Sequence, residues 1–132
     1  MSDHPHTAYL TAVAEAFTRA NMEPTSWEAM ADEELDGVFR FCSDHPALDT
    51  YSSWPNGAQL AWCPTGWMLI DLTHRSWMDI RADLYADPDR LVAIVEPVLR
   101  EGNPPPRAWD TSRWSGADDA EKAAGAWAGR AS

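Results

Sequence analysis

A single lysine (Lys122), two cysteines and no long apolar run leave this 132-residue chain poor in several kinds of chemistry. No stretch approaches the roughly 18–20 apolar residues that a membrane helix needs. Nine arginines and that one lysine face 21 Asp and Glu, a formal charge of −11, and the arginines are scattered. Proteins that bind nucleic acid draw most of their affinity from Lys and Arg neutralising phosphates. The field of this chain repels DNA, RNA and anionic lipid. Direct nucleic-acid binding and membrane attachment are therefore not expected. Cys42 and Cys63 form neither a disulfide scaffold nor a metal-ligand spacing. The N-terminal run MSDHPHTAYL has no basic region followed by an apolar one, so no secretory signal is expected. The default expectation is a cytoplasmic protein with both thiols reduced. No phosphate-cradling loop is present, since GADDAEKAAGAWAG has the wrong spacing, and the carboxylates Asp83, Asp87 and Asp89 do not form a calcium loop.

Tryptophan, by contrast, is plentiful, with eight residues. Indoles bury large areas and are enriched where proteins bind one another. The apolar fraction is 45%, ordinary for a globular chain. This length suffices for one domain with a core that needs no metal or disulfide. The strong preference for Arg over Lys, together with abundant Ala, suggests a high-GC genome. The simplest role of the acidity is solubility. The same field would also draw in a basic protein surface.

Along the chain, residues 7–21 predict an amphipathic helix with Leu10, Val13, Ala14 and Phe17 inward, capped by Thr7 and ended by Asn21. Residues 22–36 are mixed, with a short turn through Trp27, Met30 and Leu35. The run 37–42 predicts a strand, Phe39 and Phe41 sharing a face. Turn dipeptides fill 43–57, with a short strand allowed at 51–54. Residues 58–72 predict a hairpin around a three-residue loop, Pro64-Thr65-Gly66. That register puts Leu60, Trp62, Met68, Ile70 and Leu72 on the core face. It puts Gln59, Ala61, Cys63, Trp67, Leu69 and Asp71 on the other. Residues 73–86 are ambiguous, with Trp77, Ile80 and Leu84 at helical spacing and Met78, Ile80, Ala82 and Leu84 alternating, and a short edge strand or extended segment leading into the next helix is preferred. Residues 88–101 predict a helix capped by Asp87, opened by Pro88 and closed by Gly102, with Leu91, Ile94, Val95, Val98 and Leu99 inward. Pro97 conflicts with its last turn. Beyond Asn103-Pro104-Pro105-Pro106, a stiff spacer, lie Trp109, Trp114 and Trp127. A short helix at 118–128 would have no apolar stripe.

The expected fold is α+β: an antiparallel three- or four-stranded meander with two helices on one face, plus a Pro/Trp-rich C-terminal tail. Residues 1–102 form the α+β domain and 103–132 the tail, which orders when its indoles find a groove. The runs HTAYLTAVAEAF, QLAWCPTGWMLIDL and ADPDRLVAIVEPVL resemble, over about residues 6–101, small uncharacterised α+β proteins of actinobacteria. That resemblance implies no activity.

No catalytic, metal or cofactor residue emerges. His4 and His6 are simplest as part of a mobile N-terminus. The leading reading is a non-catalytic acidic protein-binding module, of accessory, chaperone-like or inhibitor type, so the chain leans away from being an enzyme. Its binding residues would be Trp67, Leu69, Asp71, His74, Arg75, Trp109, Trp114 and Trp127. The partner is a protein with a basic surface, or a second copy meeting the open sheet face or the tail. One alternative is a small-ligand binder or enzyme with a pocket at Asp71, His74 and Arg75. Another is an acidic inhibitor that mimics DNA.

Overall fold

A computed structural model describes residues 4–31, 33–48 and 54–131, with side chains of 129–131 set aside. Helix α1 spans Thr7–Arg19 and buries Leu10, Val13, Ala14 and Phe17, as the spacing requires. Its start differs from expectation. His6 occupies the cap position without a side-chain cap bond, and Thr7 Oγ1 accepts from the His4 N–H at 3.2 Å. At its end, Asn21 takes the left-handed conformation, φ 59°. Arg100 then donates to the freed carbonyls of Ala20 and Asn21 at 3.2 and 3.5 Å.

Five strands follow in a plain antiparallel meander: β1 Ser26–Ala31, β2 Leu35–Phe41, β3 Ala58–Cys63, β4 Gly66–Asp71 and β5 Ser76–Ile80. The fold is α+β, but with five strands rather than three or four. The edge strand expected in 73–86 is β5. The added strand is β1, where the sequence suggested a turn. Alternation turns Trp27, Ala29 and Ala31 inward, and Trp27 stacks on Phe39 at 5.7 Å. A cross-strand Arg40–Glu28 ion pair at 2.6 Å joins the same two strands on the outer side. Pairing with β2 overrides the weak local preference of this segment.

The hairpin register is corrected by one residue. Cys63 faces Gly66 and Trp62 faces Trp67, so the loop is the two-residue Pro64-Thr65. Gly66 opens β4 at φ 133°, a conformation that costs glycine little. A one-residue shift exchanges the faces of a strand. Trp67 and Leu69 therefore join Leu60 and Trp62 inside, while Met68 and Ile70 turn outward. The observed register buries an indole and a leucine in place of a methionine and an isoleucine, the larger apolar area.

Helix α2, Pro88–Glu101, has the expected punctuation. Asp87 accepts from the Arg90 N–H at 3.1 Å, and Gly102 ends the helix at φ 71°. Leu91, Val95, Val98 and Leu99 are buried, Val92 joins them, and Ile94 is only half-buried. Pro97 is accommodated within the final turn. Trp54 is buried and donates its indole N–H to the Val98 carbonyl at 3.0 Å. The strand considered at 51–54 lies mostly outside the described residues.

The C-terminal segment packs on the domain. The Ala82–Asp110 bridge runs parallel, with Asp110 N–H donating to Arg81 at 2.9 Å. The Trp114 N–H donates to the Tyr85 carbonyl at 2.8 Å. Helix α3, Ala117–Ala131, buries Ala117 and Ala120 in the common core. Trp127 is the one large apolar residue of this helix, which otherwise docks through alanines that permit close approach. Tyr9 is the hub of that core: its ring lies 5.2 Å from Tyr85, 5.3 Å from Trp114 and 6.2 Å from Trp67.

Candidate functional site

All three helices pack on the sheet face that carries Leu60, Trp62, Trp67 and Leu69. Strand alternation dictates what the opposite face presents. In one row across the ladder stand Glu28, Val38, Ala61, Met68 and Asp79. The next row holds Ser26, Arg40, Gln59, Ile70 and Trp77. Met30 stands opposite Asp36 beyond the first row. An apolar band therefore crosses the sheet from Met30 through Val38, Ala61 and Met68 to Ile70 and Trp77. It ends on the largest exposed apolar side chain of this face, Trp77, at 67% exposure. Glu28, Asp36 and Asp79 border the band with negative charge, and Arg40, in its second row, is bound to Glu28. Sequence reading singled out none of these residues as a site. The signal was present, because the inward alternation of Met78 and Ile80 puts Trp77 outside.

Trp67 and Leu69, expected on an exposed face, are core residues at 2% and 0% exposure. This correction follows directly from the register. The Trp67 indole N–H is buried and has no hydrogen-bond acceptor among the described residues.

Asp71 and His74 meet in the turn between β4 and β5, whereas Arg75 contributes its backbone conformation to that turn. Asp71 is buried, and its two oxygens accept from the Thr73 N–H at 2.8 Å and from His74 Nδ1 at 2.7 Å. Burial pushes the Asp71 carboxyl up, but the bonds from His74 and the Thr73 and His74 backbone outweigh it and hold it below the ordinary range. Arg75 adopts φ 53°, which completes the reversal. The geometry is that of a side-chain-closed turn. It also orients an imidazole, but one whose side chain is 72% exposed to solvent.

The three C-terminal indoles are dispersed. Trp109 is 60% exposed, Trp114 lies against Tyr9, and Trp127 is half-buried beside Trp62. The N-terminal histidines are also placed differently from expectation. His6 is fully buried, stacks on Trp62 at 5.2 Å and bonds through Nε2 to the Asp36 carbonyl at 2.6 Å. Desolvation lowers its pKa. Asp87 and Asp89 serve the start of α2, where Asp89 also pairs with Arg19 at 2.9 Å. Among the described residues no three His, Cys, Asp or Glu side chains gather as a metal site, and no helix is long and apolar enough to cross a membrane.

A cavity of about 310 Å³ opens on the helix-bearing side, between the start of β2, the hairpin turn and α3. Trp62, Tyr85 and Trp127 wall it, and Glu33 and Glu34 belong to its lining. Its walls come from segments distant in sequence, so no local pattern announces it. Comparison with family models, curated proteins and solved structures finds no match to this chain.

Proposed function

We propose that this protein is a non-catalytic, acidic module that binds another protein across the open face of its sheet, as an accessory or inhibitor-type factor. One observation carries this reading: an apolar band that no helix among the described residues covers, ending in the exposed Trp77. Contiguous apolar surface rimmed by polar groups marks interaction sites. Interfaces concentrate their energy in a few central aromatic residues. The carboxylate border favours a partner whose own apolar centre is ringed by Lys and Arg, and it would accelerate encounter at low salt. The binding residues under this reading are Met68, Ile70 and Trp77, not Trp67 and Leu69.

The test is affinity capture from the native cell with the natural chain and with Trp77→Asp in parallel. A partner retained by the first and lost by the second, then confirmed with purified components, supports the reading. Trp77→Ala should weaken that purified complex by at least about 2 kcal/mol. It should change folding stability by no more than about 0.5 kcal/mol, because the ring is exposed. If every captured protein is held equally by both forms, the sheet face is not the docking surface.

A further inference from the structure

We infer that the outer edge of β5 takes up an extended segment of a partner protein, which adds to the sheet as a sixth strand. This rests on reading the open sheet face as a protein-binding surface, and it specifies how the partner engages that surface. In an antiparallel sheet, successive residues direct their amide and carbonyl groups to opposite neighbours. The Leu72 N–H donates to the Gly57 carbonyl at 3.4 Å, one step beyond the Ala58–Asp71 pair. Gln59–Ile70 and Ala61–Met68 are therefore bonded pairs as well, and Trp67, Leu69 and Asp71 turn their backbone toward β5. Ile80, Met78 and Ser76 stand opposite them. The backbone groups of Trp77 and Asp79 consequently point away from the sheet, and no backbone hydrogen bond among the described residues engages them.

The chain itself shows that this edge accepts extended backbone. Just past β5, the Arg81 carbonyl receives the Asp110 N–H at 2.9 Å, and the Asp110 carbonyl receives the Asp83 N–H at 3.2 Å. That bridge uses the outward side of the same line of chain and stops short of Asp79. A hollow of about 490 Å³, walled in part by Asp79, Ile80, Arg107 and Trp109, lies at the junction. The opposite edge of the sheet is protected. There the Thr25 N–H donates to the Arg40 carbonyl at 2.8 Å although Ser26 is the partner of Arg40, which is a bulge. Bulges, prolines and lysines keep edges from pairing with other chains. The pairing of β5 is unbroken, and its sequence SWMDI contains neither Pro nor Lys. Side chains set the chemistry of the guest. Trp77 and Asp79 share the open face, so the guest residue beside Trp77 is apolar or aromatic and the one beside Asp79 is Lys or Arg. Those two guest residues are two apart. Arg81 and Arg107 stand past the last free position and favour an acidic group there.

The probe is a phage-displayed library of random dodecapeptides, selected on the purified full chain. Selected sequences should carry an apolar and a basic residue at alternate positions. The synthetic peptides should slow hydrogen exchange at the Trp77 and Asp79 amides. Methylating the peptide's backbone nitrogens one at a time should abolish binding at alternate positions only, as pairing along one edge requires. Asp79→Pro removes an N–H that β4 does not use, so the circular dichroism spectrum should persist while affinity falls at least about tenfold. Should that variant misfold, the methylation series decides alone. Peptides that are lost with Trp77→Asp but tolerate Asp79→Pro and every methylation overturn strand addition and leave the open-face reading standing. Peptides that show the alternating methylation pattern yet bind Trp77→Asp unchanged support strand addition and count against that reading. A library that yields no binder of the edge overturns the proposal, whatever the capture experiment finds for the face.

Discussion

His6 shows how one side chain ties the start of the chain to the sheet and makes stability depend on pH. Its Nε2 lies against the Asp36 carbonyl and so must carry the proton, leaving Nδ1 as a buried lone pair with no partner among the described residues. Protonation would place a second N–H in that buried position. The folded pKa is accordingly below the ordinary 6.5, chiefly through desolvation. The sign follows from linkage: the unfolded chain takes up the proton more readily, so stability is full above 6.5 and falls as the pH drops below it. Melting temperatures from pH 7.5 down to 5.5 should fall for the natural chain. His6→Gln, which keeps a donor but does not titrate, should flatten that slope. An unchanged slope would mean that other groups control it. The depressed carboxyls of Asp71 and Asp110 act in a separate window, stabilising above their ordinary 3.8 and losing that contribution in stronger acid.

At the scale of elements, local chemistry made some boundaries legible and left others hidden. Asp87, Pro88 and Gly102 mark both ends of α2 in sequence, and the same atoms perform those roles in space. Asp87→Ala should cost about 1 kcal/mol in chemical denaturation, because the cap bond to Arg90 N–H is lost. The hairpin was visible as a hairpin, yet its loop length was not. Pro64-Thr65-Gly66 fits a two- or a three-residue connection, and only the burial of Trp67 under α1 selects the shorter one. Gly57 is a tighter constraint, at φ 90° with a Cβ position 2.6 Å from the Phe41 carbonyl oxygen. Gly57→Ala should therefore destabilise by at least about 2 kcal/mol, a shift readable in the denaturation midpoint. If it is neutral, the turn before β3 has another conformation. Strand β1 escaped detection for the opposite reason, since its residues have little intrinsic preference and acquire one by pairing with β2.

For the molecule as a whole, the eight tryptophans divide by depth. Trp54, Trp62 and Trp67 fill the interior, Trp27, Trp114 and Trp127 seal its edges, and Trp77 and Trp109 face water. The C-terminal segment helps to close the aromatic core around Tyr9. Trp114→Ala should cost about 1–3 kcal/mol in thermal or denaturant unfolding, in proportion to its partial burial. No loss would show that the Trp114 ring does not help to close that core. Composition, charge, helix caps and alternation were readable from the chain alone because they depend on covalent geometry and near neighbours. They were enough to indicate an acidic α+β protein with indoles to spare. Which indoles are spare was settled only when strand paired with strand, since a one-residue register shift exchanges the faces of β4 and depends on burial summed over distant segments. The aromatic cavity likewise exists only where β2, the hairpin turn and α3 converge.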